Sequence, residues 1–163
     1  GHLVLSSLHT NDAATAIPRL IDIKIPQFLT AAVLNMIVAQ RLVRKICLDC
    51  IGSFTPSEDL LDSIRKQLKE LNFEFEFRAP KILYQGKGCM SCGNTGYSGR
   101  IGIFEILNID EDSRKEIINP NFSLDNFMKL AKNKGMITMF QDGLRKSELG
   151  MTTIEEVLRV IRE

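Results

Sequence analysis

Four cysteines fall into two Cys-x-x-Cys pairs, Cys47/Cys50 and Cys89/Cys92, and there is no fifth. No other feature constrains the fold as strongly. A two-residue spacer lets both thiolates of a pair face one ion from a tight turn, so two pairs make the ligand set of a closed tetrahedral zinc site. Both pairs lie in loop-like sequence, Cys-Leu-Asp-Cys-Ile-Gly-Ser and Gly-Lys-Gly-Cys-Met-Ser-Cys-Gly-Asn-Thr-Gly. Those glycines let the backbone curl and aim N–H groups at sulfur. The 38 residues between Cys50 and Cys89 exceed a compact zinc ribbon, so the site is expected to staple two distant stretches of chain. Two disulfides, or a redox dithiol beside an unrelated pair, are the competing readings. The repeated spacing and the lack of any secretory signal favour zinc. Four thiolates leave the metal no open position, so its expected role is structural, and any catalytic chemistry must come from elsewhere.

The length of 163 residues suits one domain, or one domain with a small appendage. A net charge of +1 leaves no electrostatic footprint for a nucleic-acid or membrane-surface binder. No apolar run reaches spanning length; the longest, Phe28 to Ala39, is interrupted by Thr30 and Asn35 and stopped by Gln40. Reduced cysteines imply the cytoplasm. Gly1 leads directly into an apolar run, an opening expected of a piece of a longer protein.

Residues 2–8 read as a short buried strand of parallel-sheet character. A helix is expected from the Thr10-Asn11-Asp12 cap through Ala16, kinked or ended at Pro18. A second helix opens at Ile25-Pro26 and carries Phe28, Leu29, Ala32, Val33, Met36 and Ile37. Residues 38–46 read as a strand leading into the first cysteine pair, and Ser57 caps a charge-laced helix to about Leu71. Phe73, Phe75 and Phe77 alternate with glutamates as on an edge strand, and 81–85 and 101–107 are further strands. Beyond Asp110 the pattern is helical, with breaks at Asn119-Pro120, Gly135 and Gly150 and caps at Ser123 and Thr152 or Thr153.

Only two histidines occur, His2 and His9. Seven positions apart on a strand, they point to opposite faces and do not serve one metal. His9 falls where a strand ends and a helix begins, the edge at which open α/β sheets bind ligands and helix N-termini favour phosphate. A single structural hydrogen bond is the plainer alternative. Arg41 and Arg44 interrupt an apolar strand; they are either phosphate-reaching or interface arginines, or solvated edge charges beside Lys45. Arg100 has the same ambiguity. The sequence contains no Gly-x-x-x-x-Gly-Lys-Ser/Thr, so it supplies no phosphate-cradling loop.

Several stretches together resemble one family. Residues 1–13, Gly-His-Leu-Val-Leu-Ser-Ser-Leu-His-Thr-Asn-Asp-Ala, are similar to the histidine box of the motor ATPases of type II secretion and type IV pilus assembly, and Pro18 to Asp22 continue the match. Residues 39–47 resemble the approach to that family's tetracysteine motif, and 88–97 with 99–105 its continuation. Gly135-Met136, Asp142-Gly143-Leu144, Lys146, Gly150 and residues 152–157 are similar to its closing signature. Ser7 stands where Thr is common, Leu48 where Pro often follows the first cysteine, and residues 51–85 match no motif.

The resemblance implies the terminal part of a RecA-like ATPase domain of α/β class, with an inserted tetracysteine zinc module and a helical C-terminal region. The implied division is 1–46 for the end of the ATPase core, 47–100 for the zinc-binding module, and 101–163 for a strand with the helical subdomain. It further implies a homo-hexameric parent motor that hydrolyses ATP with Mg2+ and works with inner-membrane platform and adaptor proteins, at the cytoplasmic side of that membrane. His9 and His2 match the catalytic histidines, Arg41 and Arg44 are the candidate nucleotide contacts, and Cys47, Cys50, Cys89 and Cys92 match the zinc ligands. Without a phosphate loop the chain alone is expected to be inactive. The alternative is a stand-alone, non-enzymatic zinc-binding interaction module.

Overall fold

The computed structural model describes residues 2–70 and 77–162. Among them run, in order, α1 (Ala16–Asp22), α2 (Gln27–Val33), β1 (Met36–Ile46), β2 (Ile51–Phe54), α3 (Glu58–Glu70), β3 (Leu83–Gly86), β4 (Tyr97–Asn108), α4 (Glu111–Ile117), α5 (Leu124–Asn133), α6 (Met139–Glu148) and α7 (Ile154–Arg162). The protein is thus mixed α/β. Two two-stranded sheets form, β1 with β4 and β2 with β3. The chain divides into two compact units, residues 1–41 with 102–142, and 42–101 with 143–163. No helix among the described residues is long and apolar enough to cross a membrane.

In the first unit, Ala13, Ala14, Ile17, Ala31, Leu107, Ile117 and Phe127 pack into one core. The 2.0 periodicity of a strand places Ile37 and Ala39 of β1 and Leu107 of β4 toward it, while Met36, Val38, Phe104 and Ile106 face outward. Helix α4 starts where the sequence allows it, with Asp110 Oδ1 accepting the Ser113 N–H at 2.9 Å. Arg114 of α4 then reaches the end of α2, donating to the carbonyls of Ala31 and Ala32 and to Asn35 Oδ1. Carbonyls at a helix C-terminus lack intrahelical donors, so a guanidinium there stabilises the end.

Three expectations change here. Residues 2–10 carry no regular structure, and Leu3, Val4 and Leu5 are 82%, 78% and 91% exposed rather than buried in a strand. A strand exists only when a neighbour takes up its N–H and C=O groups, and the described strands all pair with each other instead. The first helix begins at Ala16, after the cap segment. Asp12 Oδ1 accepts the Thr15 N–H at 2.8 Å, and Pro18 falls inside the first turn, where its missing N–H has no partner to lose. Helix α2 stops at Val33, because Leu34 turns extended and the Asn35 carbonyl accepts the Ile109 N–H at 2.9 Å. Met36 and Ile37 therefore open β1. Of the expected edge strand, residues 73–76 lie outside the described residues, and Phe77 has no regular structure.

In the second unit, α3 buries Leu61, Ile64 and Leu68, one stripe of a 3.6-residue period, and Ser57 Oγ accepts the Leu60 N–H at 3.3 Å. Thr153 caps α7 by accepting the Glu156 N–H at 3.3 Å, and its hydroxyl lies 3.0 Å from the Tyr97 hydroxyl. Helix α7 buries Ile154, Val157 and Leu158.

Candidate metal centre

The two cysteine pairs are brought together by a ladder that the sequence pattern does not announce. Strands β2 and β3 are four residues each and pair antiparallel, with Ile51 opposite Gly86 and Phe54 opposite Leu83. The residue after Cys50 is therefore registered against a residue just before Cys89. The Lys87 N–H donates to the Cys50 carbonyl at 2.9 Å, extending the ladder toward the sulfurs. On the other side, the Cys47 N–H donates to the Gly96 carbonyl at 2.9 Å.

Backbone crowding explains the glycines here. A Cβ on Gly86 would stand 2.0 Å from the Gly96 carbonyl oxygen, so the two chains approach closely only without side chains. Gly93, with φ of +58°, closes the short 3-10 turn Met90–Cys92 in a left-handed conformation that L-residues adopt at a cost.

The resulting geometry is a four-sulfur cluster. All four Sγ atoms lie within 4.8 Å of one another. Cys47 and Cys89 Sγ are 3.8 Å apart, Cys50 and Cys92 3.9 Å, and Cys89 and Cys92 3.6 Å. A tetrahedron with zinc–thiolate bonds of about 2.3 Å has edges of about 3.8 Å, whereas a disulfide needs about 2.05 Å. The spacing fits a shared metal and not covalent pairing, and all four cysteines are free. Cys47 is buried and the others are half-buried.

The sulfurs differ in their electrostatics. Burial disfavours the charged form of Cys92, but backbone hydrogen bonds from Cys89 and Gly96 outweigh it and hold the pKa down to about 6. Those N–H groups reach Cys92 Sγ at 3.2 and 3.3 Å. Burial pushes Cys50 up to about 12, as expected where a thiolate crowds other sulfurs without a cation. A divalent ion reverses that cost, because it is the largest local charge.

The remaining candidate residues divide between the two units. His2 and His9 are both exposed, at the start of the first unit. Arg41 joins that neighbourhood, since its Nη2 donates to Asn11 Oδ1 at 3.2 Å, two residues from His9. Arg44 belongs to the second unit. Its Nη2 donates to Glu156 Oε1 at 2.5 Å, and its guanidinium lies 4.1 Å from the centroid of the Tyr97 ring. Glu156, 2% exposed, also accepts from the Arg44 backbone N–H and from Arg159, so one buried carboxylate ties the strand that leads into Cys47 to α7.

Sequence reasoning passed over two buried acids, Glu105 and Glu156. A signal for the first was present. Glu105 occupies the same parity as Ile103 and Leu107 in β4, an acid on the inward face of an apolar strand.

The profile described as type II/IV secretion system protein matches residues 1–159. The chain is 40% identical over 161 residues, 99% of its length, to the type IV pilus assembly ATPase TfpB of Acinetobacter baylyi. It is 40% identical over 158 residues, 97% of its length, to the type IV pilus assembly ATPase PilB of Thermus thermophilus. Against the type II secretion system ATPase E of Vibrio cholerae the identity is 38% over 166 residues and all of the chain. It spans only 26%, 17% and 30% of those three relatives. On this match across nearly its full length, the chain belongs to the type II/IV secretion system protein family.

Proposed function

We propose that this chain is the metal-bearing portion of a motor ATPase that drives pilus assembly or protein secretion. The observation that carries the reading is 38–40% identity over essentially the whole chain to ATPases of those two machines. In this reading Cys47, Cys50, Cys89 and Cys92 hold one Zn2+ ion. The closed ligand set gives it no substrate position, so its work is to fix two chain segments in one place.

The motor is a homo-hexamer, acting in the cytoplasm on inner-membrane platform and adaptor proteins. Its phosphate loop and Mg2+ site are contributed by polypeptide outside these 163 residues. His9 stands near the γ-phosphate as a transition-state contact, with Arg41 beside it, and His2 has the lesser role. Arg44, shared between Glu156 and the Tyr97 ring, steadies the metal-bearing unit.

ATP hydrolysis by the full-length protein that carries this chain tests the reading. The wild type hydrolyses Mg–ATP, and His9→Ala lowers kcat by about 10²–10³-fold while ATP affinity stays near wild type, the pattern of a lost transition-state contact. A full-length protein without ATPase activity overturns the motor reading. Near wild-type turnover in His9→Ala removes His9 from the mechanism.

A further inference from the structure

A second buried carboxylate lies in the first unit. Glu105 is 4% exposed. Its Oε1 accepts the Ala13 N–H at 3.0 Å and its Oε2 accepts the Met139 N–H at 3.3 Å. Ala13 leads into α1, and Met139 is the first residue of α6. Met139 heads α6, where amides lack intrahelical acceptors and carry partial positive charge. The Ala13 amide, buried ahead of the α1 cap, needs a partner because a buried N–H must be paired. One carboxylate therefore joins β4, the start of α6 and the stretch directly behind residues 9–12.

Other ties on that stretch are local or exposed. Thr10 Oγ1 donates to the Asp12 carbonyl at 3.0 Å, Asp12 accepts the Thr15 N–H at 2.8 Å and the Thr15 hydroxyl at 3.2 Å, and Arg41 reaches Asn11 at an exposed site. Ala13 and Ala14, by contrast, are wholly buried, and Glu105 accepts the Ala13 N–H.

We propose that Glu105 is a positioning residue: by holding the Ala13 and Met139 amides on its two oxygens, its ionised carboxylate sets where the His9–Asp12 segment stands for nucleotide chemistry. The nucleotide clause rests on the motor reading above. Both amides need an acceptor, and only the ionised form offers two free oxygens. Protonation puts an O–H on one of those oxygens and makes it a weaker acceptor, so the amide it serves is held less firmly.

The charge is not explained as a stabilising device. Burial raises the Glu105 pKa above the ordinary carboxylate range; the Ala13 and Met139 amides oppose that, the charge of Asp12 adds to it, and Lys132 lowers it. A folded-state pKa above the unfolded value means that the fold is less stable with Glu105 ionised than with it protonated. A buried charge kept at such a cost fits a geometric role.

The test has two arms. In the chain itself, 15N-resolved amide shifts of Ala13 and Met139 should titrate together, with a shared midpoint above that of an ordinary carboxylate. In E105Q, neither should follow that titration, because glutamine keeps the size and one acceptor but has no charge to lose. In the full-length motor, E105Q should lower kcat by about 10–100-fold with KM within about two-fold, the scale of a reacting group displaced by ~1 Å. The wild-type acid limb of kcat assigned to Glu105 should disappear in that variant.

Amides that titrate separately, or not at all, overturn the proposal without needing a folded variant. Wild-type kcat and pH profile in E105Q also overturn it. A wild-type motor without ATPase activity defeats the motor reading instead, and the hold of Glu105 on the two amides is then decided by the amide titration alone.

Discussion

Glu156→Gln removes the charge that joins β1 to α7 in the unit that carries the cysteine cluster. The carboxylate is 2% exposed and accepts hydrogen bonds from the Arg44 backbone at 3.2 Å, the Arg44 guanidinium at 2.5 Å, and Arg159 at 3.0 and 3.2 Å. Burial alone would raise its pKa, but hydrogen bonds from Arg44 and Arg159 outweigh burial and lower it from 4.5 to about 2. At about 1.4 kcal/mol per pH unit, that difference corresponds to roughly 3 kcal/mol. The arginine side chains are 49% and 47% exposed, so solvent screens part of it. About 2 kcal/mol is the expected loss at pH 7.

The sign follows from the depressed pKa. The contribution is complete above about pH 4.5 and is lost as pH falls toward about 2. Urea unfolding followed by tyrosine fluorescence reads this unit selectively, because the chain has no tryptophan and its two tyrosines are Tyr84 and Tyr97. With a slope of about 1–3 kcal/mol per molar, the midpoint of Glu156→Gln should fall by about 1 M at pH 7 and converge on wild type near pH 2. A pH 7 difference under about 0.5 kcal/mol, the scale of an ordinary surface substitution, would refute the argument. An equal difference at both pH values would refute it as well.

Metal analysis of the purified chain should give one zinc per chain with zinc–sulfur distances of about 2.3 Å, and chelation should loosen residues 47–100 in amide exchange. Well under one equivalent, with a Cys47–Cys50 disulfide, would refute the zinc assignment. Gly86→Ala places a Cβ 2.0 Å from the Gly96 carbonyl oxygen, and the Gly96 amide also serves Cys92. The substitution should cost about 1–3 kcal/mol and weaken zinc retention against a competing chelator; wild-type retention would contradict the close approach.

The four-cysteine cluster was legible because it is written in residue type and spacing. Cys-x-x-Cys fixes what a turn can present to an ion, and nothing distant alters that. Strands β1 and β4 and the run of helices after Asp110 were legible for a related reason. Their periodicity, caps and breaks at Asn119-Pro120, Gly135 and Gly150 are local signals. Strands β2 and β3 were harder, one missed and one placed only approximately: four residues each carry too little pattern, and their pairing, not their composition, makes them strands.

Residues 2–8 show the reverse case. Their composition is that of a buried strand, yet they are exposed and unpaired, because a strand is a relation between two segments and one segment cannot declare it. The buried acids obey the same limit. Glu105 bonds Ala13 across 92 positions, and Glu156 bonds Arg44 across 112. The sequence by itself determined which groups could bind a metal and which stretches could form helices. Only the tertiary structure decided which carboxylates would be charged, buried and partnered, because desolvation and hydrogen bonding depend on neighbours that the fold alone brings within 3 Å.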